Sequence, residues 1–191
     1  MRQVGTSPNN LVALDATAKL PAIDGSQITN LNLASSPSSS MRPGAVVTLS
    51  GQTSVTFSSI PTWVNRITVM LIGVLTTSSP LIQLGSGSPQ ATGYNCGGTR
   101  IYSGGSSTLA DLTNGFPVLS AASKADTGQY IFSRLAGNTW VGSYTGNDEG
   151  PAGNIAAGSV TITAGPIDRI VVSTQSGTAS FSAGTVNVTY E

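Results

Sequence analysis

Histidine is absent from this chain of 191 residues, and cysteine occurs only once, as Cys96. Without histidine, the chain cannot form a Ser-His-Asp triad or a Cys-His catalytic pair. The commonest zinc ligand is also missing, and one cysteine cannot replace it. A single cysteine excludes an intrachain disulfide, and therefore a disulfide-stapled domain. We expect Cys96 to be a small buried residue, because a reactive thiol needs an activating neighbour.

Charged residues are scarce. They make up 8% of the chain, with 8 basic and 8 acidic side chains, whereas roughly 25% is typical of soluble domains. No basic run is present, so the sequence lacks the electrostatic footprint of a nucleic-acid-binding protein. Apolar residues make up 39% of the chain, which is enough for a hydrophobic core. Hydroxyl and amide groups must therefore cover most of the surface, as is common in extracellular β-proteins and viral fibres.

Long apolar stretches are missing as well. The segment Met1–Gly5 lacks the apolar region of a signal peptide. The longest apolar run, Ile67–Leu75, is interrupted by Thr68 and Gly73 and falls short of the roughly 18 residues of a membrane span. We therefore expect no membrane insertion.

From residue 44 onward, short segments rich in Val, Ile, Thr and aromatic residues alternate with clusters of Gly, Pro, Asn and Ser, a pattern that indicates strands and turns. The predicted strands are Ala45–Leu49, Ser54–Phe57, Arg66–Thr76, Leu81–Leu84, Thr99–Tyr102, Gln129–Leu135, Thr139–Tyr144, Ser159–Thr163, Asp168–Thr174, Thr178–Phe181 and Thr185–Tyr190. The strand Arg66–Thr76 is apolar on both faces, which marks a central strand, and the last strand alternates so that one face is solvated. The pattern predicts an all-β fold, with an antiparallel β-sandwich or jelly roll over residues 44–191.

Turns and irregular segments complete this prediction. Gly137-Asn138 is expected to form a hairpin turn, and Ser176-Gly177 and Ala183-Gly184 look similar. The one candidate helix is Ser107–Leu112. Two irregular stretches, Ser86–Gly105 and Asn147–Ala157, are predicted as long loops, and binding residues tend to lie on such loops.

The first 34 residues differ in composition from the rest, and a Ser/Pro-rich linker at residues 35–43 follows them. Their apolar residues keep neither a helical nor a strand period, and Pro21 and the Asp24-Gly25 turn exclude one long helix. Too few apolar groups are present here to build a core. We expect this segment to be held by copies of itself or by the surface of another protein.

Candidate catalytic groups are few. A glycosidase needs two carboxyl groups across one sugar bond, and only Asp148 and Glu149 are adjacent acids, in a segment expected to be a loop. We interpret them as a solvated turn, with calcium binding and catalysis as open alternatives. Glycine-rich phosphate-binding motifs are absent. The sequence therefore predicts neither an enzyme nor a bound cofactor, and it assigns no metal ligand.

Aromatic side chains are the groups best suited to stack on sugars. Trp140 and Tyr144 lie on one face of a predicted strand. We expect that face to be core, and the alternative is an exposed platform for glycans. Tyr94 and Tyr102 flank the glycine-rich stretch and are the better candidates for an exposed glycan contact.

Two stretches resemble parts of bacteriophage fibre proteins. Residues 11–31, LVALDATAKLPAIDGSQITNL, are similar to a segment that recurs in phage tail-fibre and other virion fibre proteins. Residues 55–70, VTFSSIPTWVNRITVM, look like the opening of a β domain that often follows such segments. In physical terms, Trp63 can cap the end of the sandwich while Arg66 stacks on it or pairs with an acid.

The resemblance implies a virion component, typically a homotrimer, whose N-terminal side faces the particle and whose β domain faces outward. The apolar residues of the first segment would then attach the protein to capsid or tail proteins, and they are Leu11, Leu14, Leu20, Ile23, Ile28 and Leu31. The chain length favours a short fibre, a head fibre or a capsid decoration protein over a full tail fibre.

The leading hypothesis is a structural virion protein, assembled in the host cytoplasm, whose outer domain contacts host-surface glycans. The first alternative is a decoration protein that stabilises the capsid and binds no receptor. The second, which the sequence favours least, is a tail-associated glycan depolymerase.

Overall fold

The computed structural model describes residues 41–120 and 123–191. Within these two ranges the chain forms strands and turns and no helix. The strands are β1 (Arg42–Pro43), β2 (Val47–Thr48), β3 (Val55–Ser58), β4 (Arg66–Thr76), β5 (Pro80–Ser86), β6 (Ser88–Pro89), β7 (Tyr94–Tyr102), β8 (Gly105–Leu112), β9 (Phe116–Pro117), β10 (Asp126–Ala136), β11 (Thr139–Asp148), β12 (Ala152–Thr161), β13 (Arg169–Thr174) and β14 (Phe181–Tyr190).

The strands form two antiparallel sheets. In the large sheet the order is β1-β14-β4-β10-β11-β12-β7-β8, and β2 also pairs with β14. In the small sheet the order is β3-β13-β5-β6, and β9 also pairs with β5. This arrangement confirms the predicted all-β, antiparallel, sandwich-like fold. The predicted attachment segment, residues 1–34, lies outside the described residues.

The core lies between the two sheets. Ile82, Leu84 and Val172 of the small sheet belong to the same buried cluster as Val69 and Phe132 of the large sheet. Period-2 alternation explains this arrangement, because every second side chain of a strand points to the same face. Burial of these apolar groups is the main force that holds the two layers together.

An aromatic cluster fills the centre of the core. The ring of Phe116 makes edge contacts with Tyr94, Tyr130 and Phe132, at centroid distances of 5.3, 5.5 and 4.9 Å. Strand β11 lies beside β10, which carries Tyr130 and Phe132. Its residue Gly142 leaves room for these two rings, since a Cβ there would lie 2.7 Å from atoms of Phe132 and 3.0 Å from Tyr130. The glycine is therefore required by ring packing, because no side chain fits beneath the rings.

The hairpin predicted at Gly137-Asn138 is confirmed. These two residues join β10 to β11, and Gly137 has a φ of +53°, which glycine adopts without strain. Ser176-Gly177 also forms a turn, but it leads from β13 in the small sheet to β14 in the large sheet and closes no hairpin.

Three predictions in the irregular regions are wrong. The candidate helix Ser107–Leu112 is strand, as part of β8. Most of Ser86–Gly105 is also strand, because β6 and β7 lie within it, and most of Asn147–Ala157 belongs to β12. Glycine and alanine lowered the strand signal in these segments, but their small side chains are accommodated by close packing. At Gly98, for example, a Cβ would collide with Leu119 and Ala156.

Strand β4 occupies the predicted central position, between β14 and β10. Its two faces differ, however, since Ile67, Val69 and Leu71 are buried whereas Ile72 is 64% exposed. The alternation changes phase at Gly73, whose positive φ marks a bulge against both neighbouring strands. The prediction of a central strand is therefore confirmed, although one of its two apolar faces is partly exposed.

The predicted turn at Ala183-Gly184 is a bulge as well. The predicted strand Thr185–Tyr190 and Phe181, the last residue of the predicted strand Thr178–Phe181, belong to the single strand β14, whose register against β4 shifts on both sides of Ala183. Residues 178–180 are not strand. Gly184 has a φ of +114°. Val186 and Val188 face the core, and this confirms the alternation predicted for the last strand.

The end of the sandwich near Trp63 follows the sequence prediction in part. Arg66 pairs with an acid, because its Nη1 lies 3.4 Å from Oε1 of Glu191. The cation that stacks on Trp63 is Arg42, with its guanidinium carbon 5.6 Å from the ring centroid. The ring of Tyr190 packs against the same indole, at 6.1 Å.

Candidate functional site

The predicted site residues fall into two groups. The attachment residues Leu11, Leu14, Leu20, Ile23, Ile28 and Leu31 lie outside the described residues. Tyr94 and Tyr102 are both on β7, at its two ends. Eight residue steps of about 3.3 Å separate them, so these two tyrosines do not form one binding site.

Tyr94 is buried, which corrects its expected role as an exposed glycan contact. It is 3% exposed, and its hydroxyl donates to the backbone oxygen of Leu84 at 3.2 Å and accepts from the nitrogen of the same residue at 3.0 Å. Burial raises the pKa of the phenol well above its usual value. The side chain ties the large sheet to the small one.

Tyr102 is exposed and is held in place from one side. The residue is 37% exposed, and the guanidinium carbon of Arg100 lies 4.9 Å from the ring centroid. The same guanidinium binds Asp148 through Nε, at 2.5 Å. Tyr102 is therefore an aromatic side chain at the surface whose orientation is fixed by an ion pair behind it.

Four polar side chains, all buried or largely buried, lie together near Tyr102, at the same end of the large sheet, and we call them the inner acid cluster. It consists of Asp126, Asp148, Asn154 and Arg100. Asp126 and Asp148 are direct partners in the β10–β11 register, and Asn154 and Arg100 are direct partners in the β12–β7 register. Both carboxyl groups point inward, with exposures of 0% and 1%.

Strand alternation explains why these polar side chains lie in the interior. Asp148 is in phase with the buried residues Trp140 and Tyr144, and Asp126 is in phase with Tyr130 and Phe132. Trp140 and Tyr144 face the core, as expected. The solvated turn predicted for Asp148-Glu149 is wrong for Asp148, which is buried as the last residue of β11, whereas Glu149 is exposed.

The electrostatics of the cluster are uneven. Arg100 binds Asp148, whereas Asp126 accepts a hydrogen bond from the amide of Asn154, with Nδ2 and Oδ1 2.8 Å apart. Burial raises the pKa of Asp126 to about 7. This value includes a smaller upward effect from the charge of Asp148 and the opposing effects of polar contacts from Ser120 and Asn154 and of the charge of Arg100. Sequence reasoning missed Asp126, although its period-2 spacing from Tyr130 was a usable signal.

The opposite face of the large sheet carries no charge in its central rows. One row runs across β4, β10, β11, β12 and β7 as Thr68, Ile131, Ser143, Ala157 and Gly97, and the next runs as Met70, Gln129, Thr145, Ile155 and Thr99. We call this surface the outer face. The charged residues of these five strands all lie within three positions of a strand end, and they are Arg66, Arg100, Asp126, Arg134 and Asp148.

Aliphatic side chains are exposed at intervals on the outer face. Ile155 is 50% exposed and Val141 45% exposed. Beside Ile155, the small residues Gly97 and Ala157 leave a shallow hollow between β7 and β12. The outer face is thus broad and uncharged, and it carries hydroxyl groups between single apolar side chains.

Other reactive groups are few in the described part of the chain. Cys96 is buried as expected, and burial raises the pKa of its thiol to about 12, so it is a protonated thiol at neutral pH. No group of three or more His, Cys, Asp or Glu side chains suited to a metal ion occurs among residues 41–120 and 123–191. These ranges also contain no helix that is long and apolar enough to cross a membrane.

Comparison with known proteins gives no match: no family model, no curated protein and no solved structure is significantly similar to this chain.

Proposed function

We propose that this chain is a structural component of a bacteriophage particle, either a short fibre or a capsid decoration protein. The proposal starts from the two stretches that resemble phage fibre proteins and is supported by the sandwich-like fold. The observation that carries it furthest is the outer face. A broad surface of hydroxyl and aliphatic groups without charge is well suited to permanent contact with other protein, because burying it requires no desolvation of ions.

The proposed partner of the outer face is a second copy of the chain, within a homotrimer. Neutral surfaces meet without Coulombic repulsion, whereas buried unpaired charges would oppose association. Cyclic symmetry places the same patch in an equivalent environment in every copy. The exposed aliphatic residues, Ile155 among them, would supply the apolar part of that interface.

Light scattering on the full chain tests this assembly. We expect a mass of three copies for the unsubstituted protein and a lower mass for Ile155→Lys, which places a charge in the centre of the outer face. Leu135→Lys is the matched control, because Leu135 is 73% exposed beside the β10–β11 turn, away from the central rows. A monomer at micromolar concentration, or equal masses for both variants, would contradict the proposed interface.

Contact with host-surface glycans is a second candidate function, and Tyr102 is the observation that favours it. Its exposed ring is held by Arg100, so little conformational entropy is lost when a sugar stacks on it. Three copies of one weak site would give useful avidity. In a glycan-array experiment we expect binding that Tyr102→Ala reduces at least tenfold, whereas no binding by the unsubstituted protein would refute the receptor role.

The two alternatives lead to different experiments. A pure decoration protein would raise the temperature at which particles release their genome, and removing it would change nothing else. A depolymerase would cleave host polysaccharide, and assay of the purified chain for released sugar tests this directly. The carboxyl groups of the inner acid cluster do not favour cleavage, because they face the interior rather than a surface that a polysaccharide could reach.

A further inference from the structure

The inner acid cluster contains two carboxyl groups and one guanidinium group in the protein interior. Arg100 reaches Asp148, and its side chain is largely buried there. Asp126 is fully buried, and the groups that donate hydrogen bonds to it, the amide of Asn154 and the side chain of Ser120, are both neutral. If both acids were ionised, these three side chains would carry two negative charges and one positive charge, and a net negative charge is costly in a medium of low polarity.

The hydrogen bonds of the cluster are incomplete in a way that a proton would complete. Oδ2 of Asp126 and Oδ1 of Asn154 are both buried, and neither has a direct hydrogen-bond partner among residues 41–120 and 123–191. Two acceptors cannot bond to each other. A proton on Oδ2 would make it a donor, and the acid and the amide could then pair through two hydrogen bonds, of which one is already formed.

We propose that Asp126 acts as a proton-operated switch: the folded domain holds a proton on this carboxyl group, and loss of the proton loosens the end of the large sheet where β10, β11 and β12 meet. The charged and titratable groups that face Asp126 are Asp148 and Tyr144 from β11 and Arg100 from β7. From β12 the facing group is the neutral Asn154.

The direction of the pH dependence follows from the folded-state pKa. For Asp126 it is about 7, above its ordinary value of 3.8, so the folded state binds a proton that the unfolded chain releases. The stabilising effect is complete below about pH 4 and is lost as the pH rises through 7. Between these limits the folding equilibrium constant falls by up to about tenfold for each pH unit.

Asp126→Asn is the substitution that isolates the switch. The amide has the shape of the protonated acid and does not ionise, so the variant should not show the loss of stability between about pH 4 and 7 that we expect for the unsubstituted protein. Glu149→Gln is the matched control, since it removes an exposed acid at the same end of the sheet and should keep the full pH dependence. Urea unfolding of the full chain at several pH values measures this. Equal slopes for Asp126→Asn and the unsubstituted protein would overturn the proposal.

A direct titration keeps the proposal testable if the variant fails to fold. Carbon-13 NMR of the aspartate carboxyl groups in the unsubstituted protein should show one acid that titrates near pH 7. Above that pH the protection of the Gly128 and Asn147 amides against exchange, relative to the intrinsic exchange rate at each pH, should fall. A set of aspartates that all titrate below pH 5 would overturn the proposal.

Discussion

Replacing Phe116 by alanine should destabilise the domain more than most single substitutions. The ring is fully buried and contacts three other rings of the core. An aromatic side chain buries about 150 to 250 Å², and at about 25 cal/mol for each Å² the lost transfer free energy is roughly 4 to 6 kcal/mol. Measured costs of Phe→Ala in protein cores are about 3 to 5 kcal/mol, so the two figures agree.

Urea unfolding followed by tryptophan fluorescence measures this loss, because Trp140 is fully buried beside the same core. We expect the free energy of unfolding to fall by about 3 to 5 kcal/mol, a large part of the 5 to 15 kcal/mol that is usual for a domain. Tyr102→Ala is the surface control and should change it by less than about 1 kcal/mol. A loss below about 1 kcal/mol for Phe116→Ala would refute the packing described for the aromatic cluster.

Three further predictions concern single side chains. Gly142→Val should destabilise the domain by about 1 to 3 kcal/mol, because its Cβ would collide with Phe132; unchanged thermal unfolding would contradict this. Arg100→Gln should cost about 3 kcal/mol or more, because it removes the guanidinium that binds the buried carboxyl group of Asp148; a loss well below this value in chemical denaturation would contradict the prediction. Arg169→Gln should raise the pKa of Asp168, which the guanidinium holds below its usual value, and an unchanged NMR titration would show that the contact is absent in solution.

The fold class followed from the sequence because it depends on alternation within each strand. Val186 and Val188 face the core as their period predicts. Segments rich in glycine were harder to interpret, since the same composition suits a loop and a closely packed strand. For this reason the sequence predicts a loop at Tyr94, which in fact lies on β7. The same strand contains Gly98, where a side chain would collide with Leu119.

The inner acid cluster could not be predicted, because it depends on register between strands that are distant in sequence. Asp126 and Asp148 meet only because the turn at Gly137-Asn138 sets the β10–β11 pairing. Asn154 joins them through the next pair of strands, and Arg100 arrives from β7. No local pattern in the chain states which of these positions will lie opposite each other, although each is in phase with buried neighbours.

The location of the chain tests the central proposal most directly. Phage particles purified by density gradient can be treated with gold-labelled antibodies raised against residues 44–191 and then viewed by electron microscopy. We predict label at regular positions on the head or the tail, in numbers that fit a symmetric arrangement of trimers. Particles that carry no label and contain none of the chain by mass spectrometry would contradict the proposal.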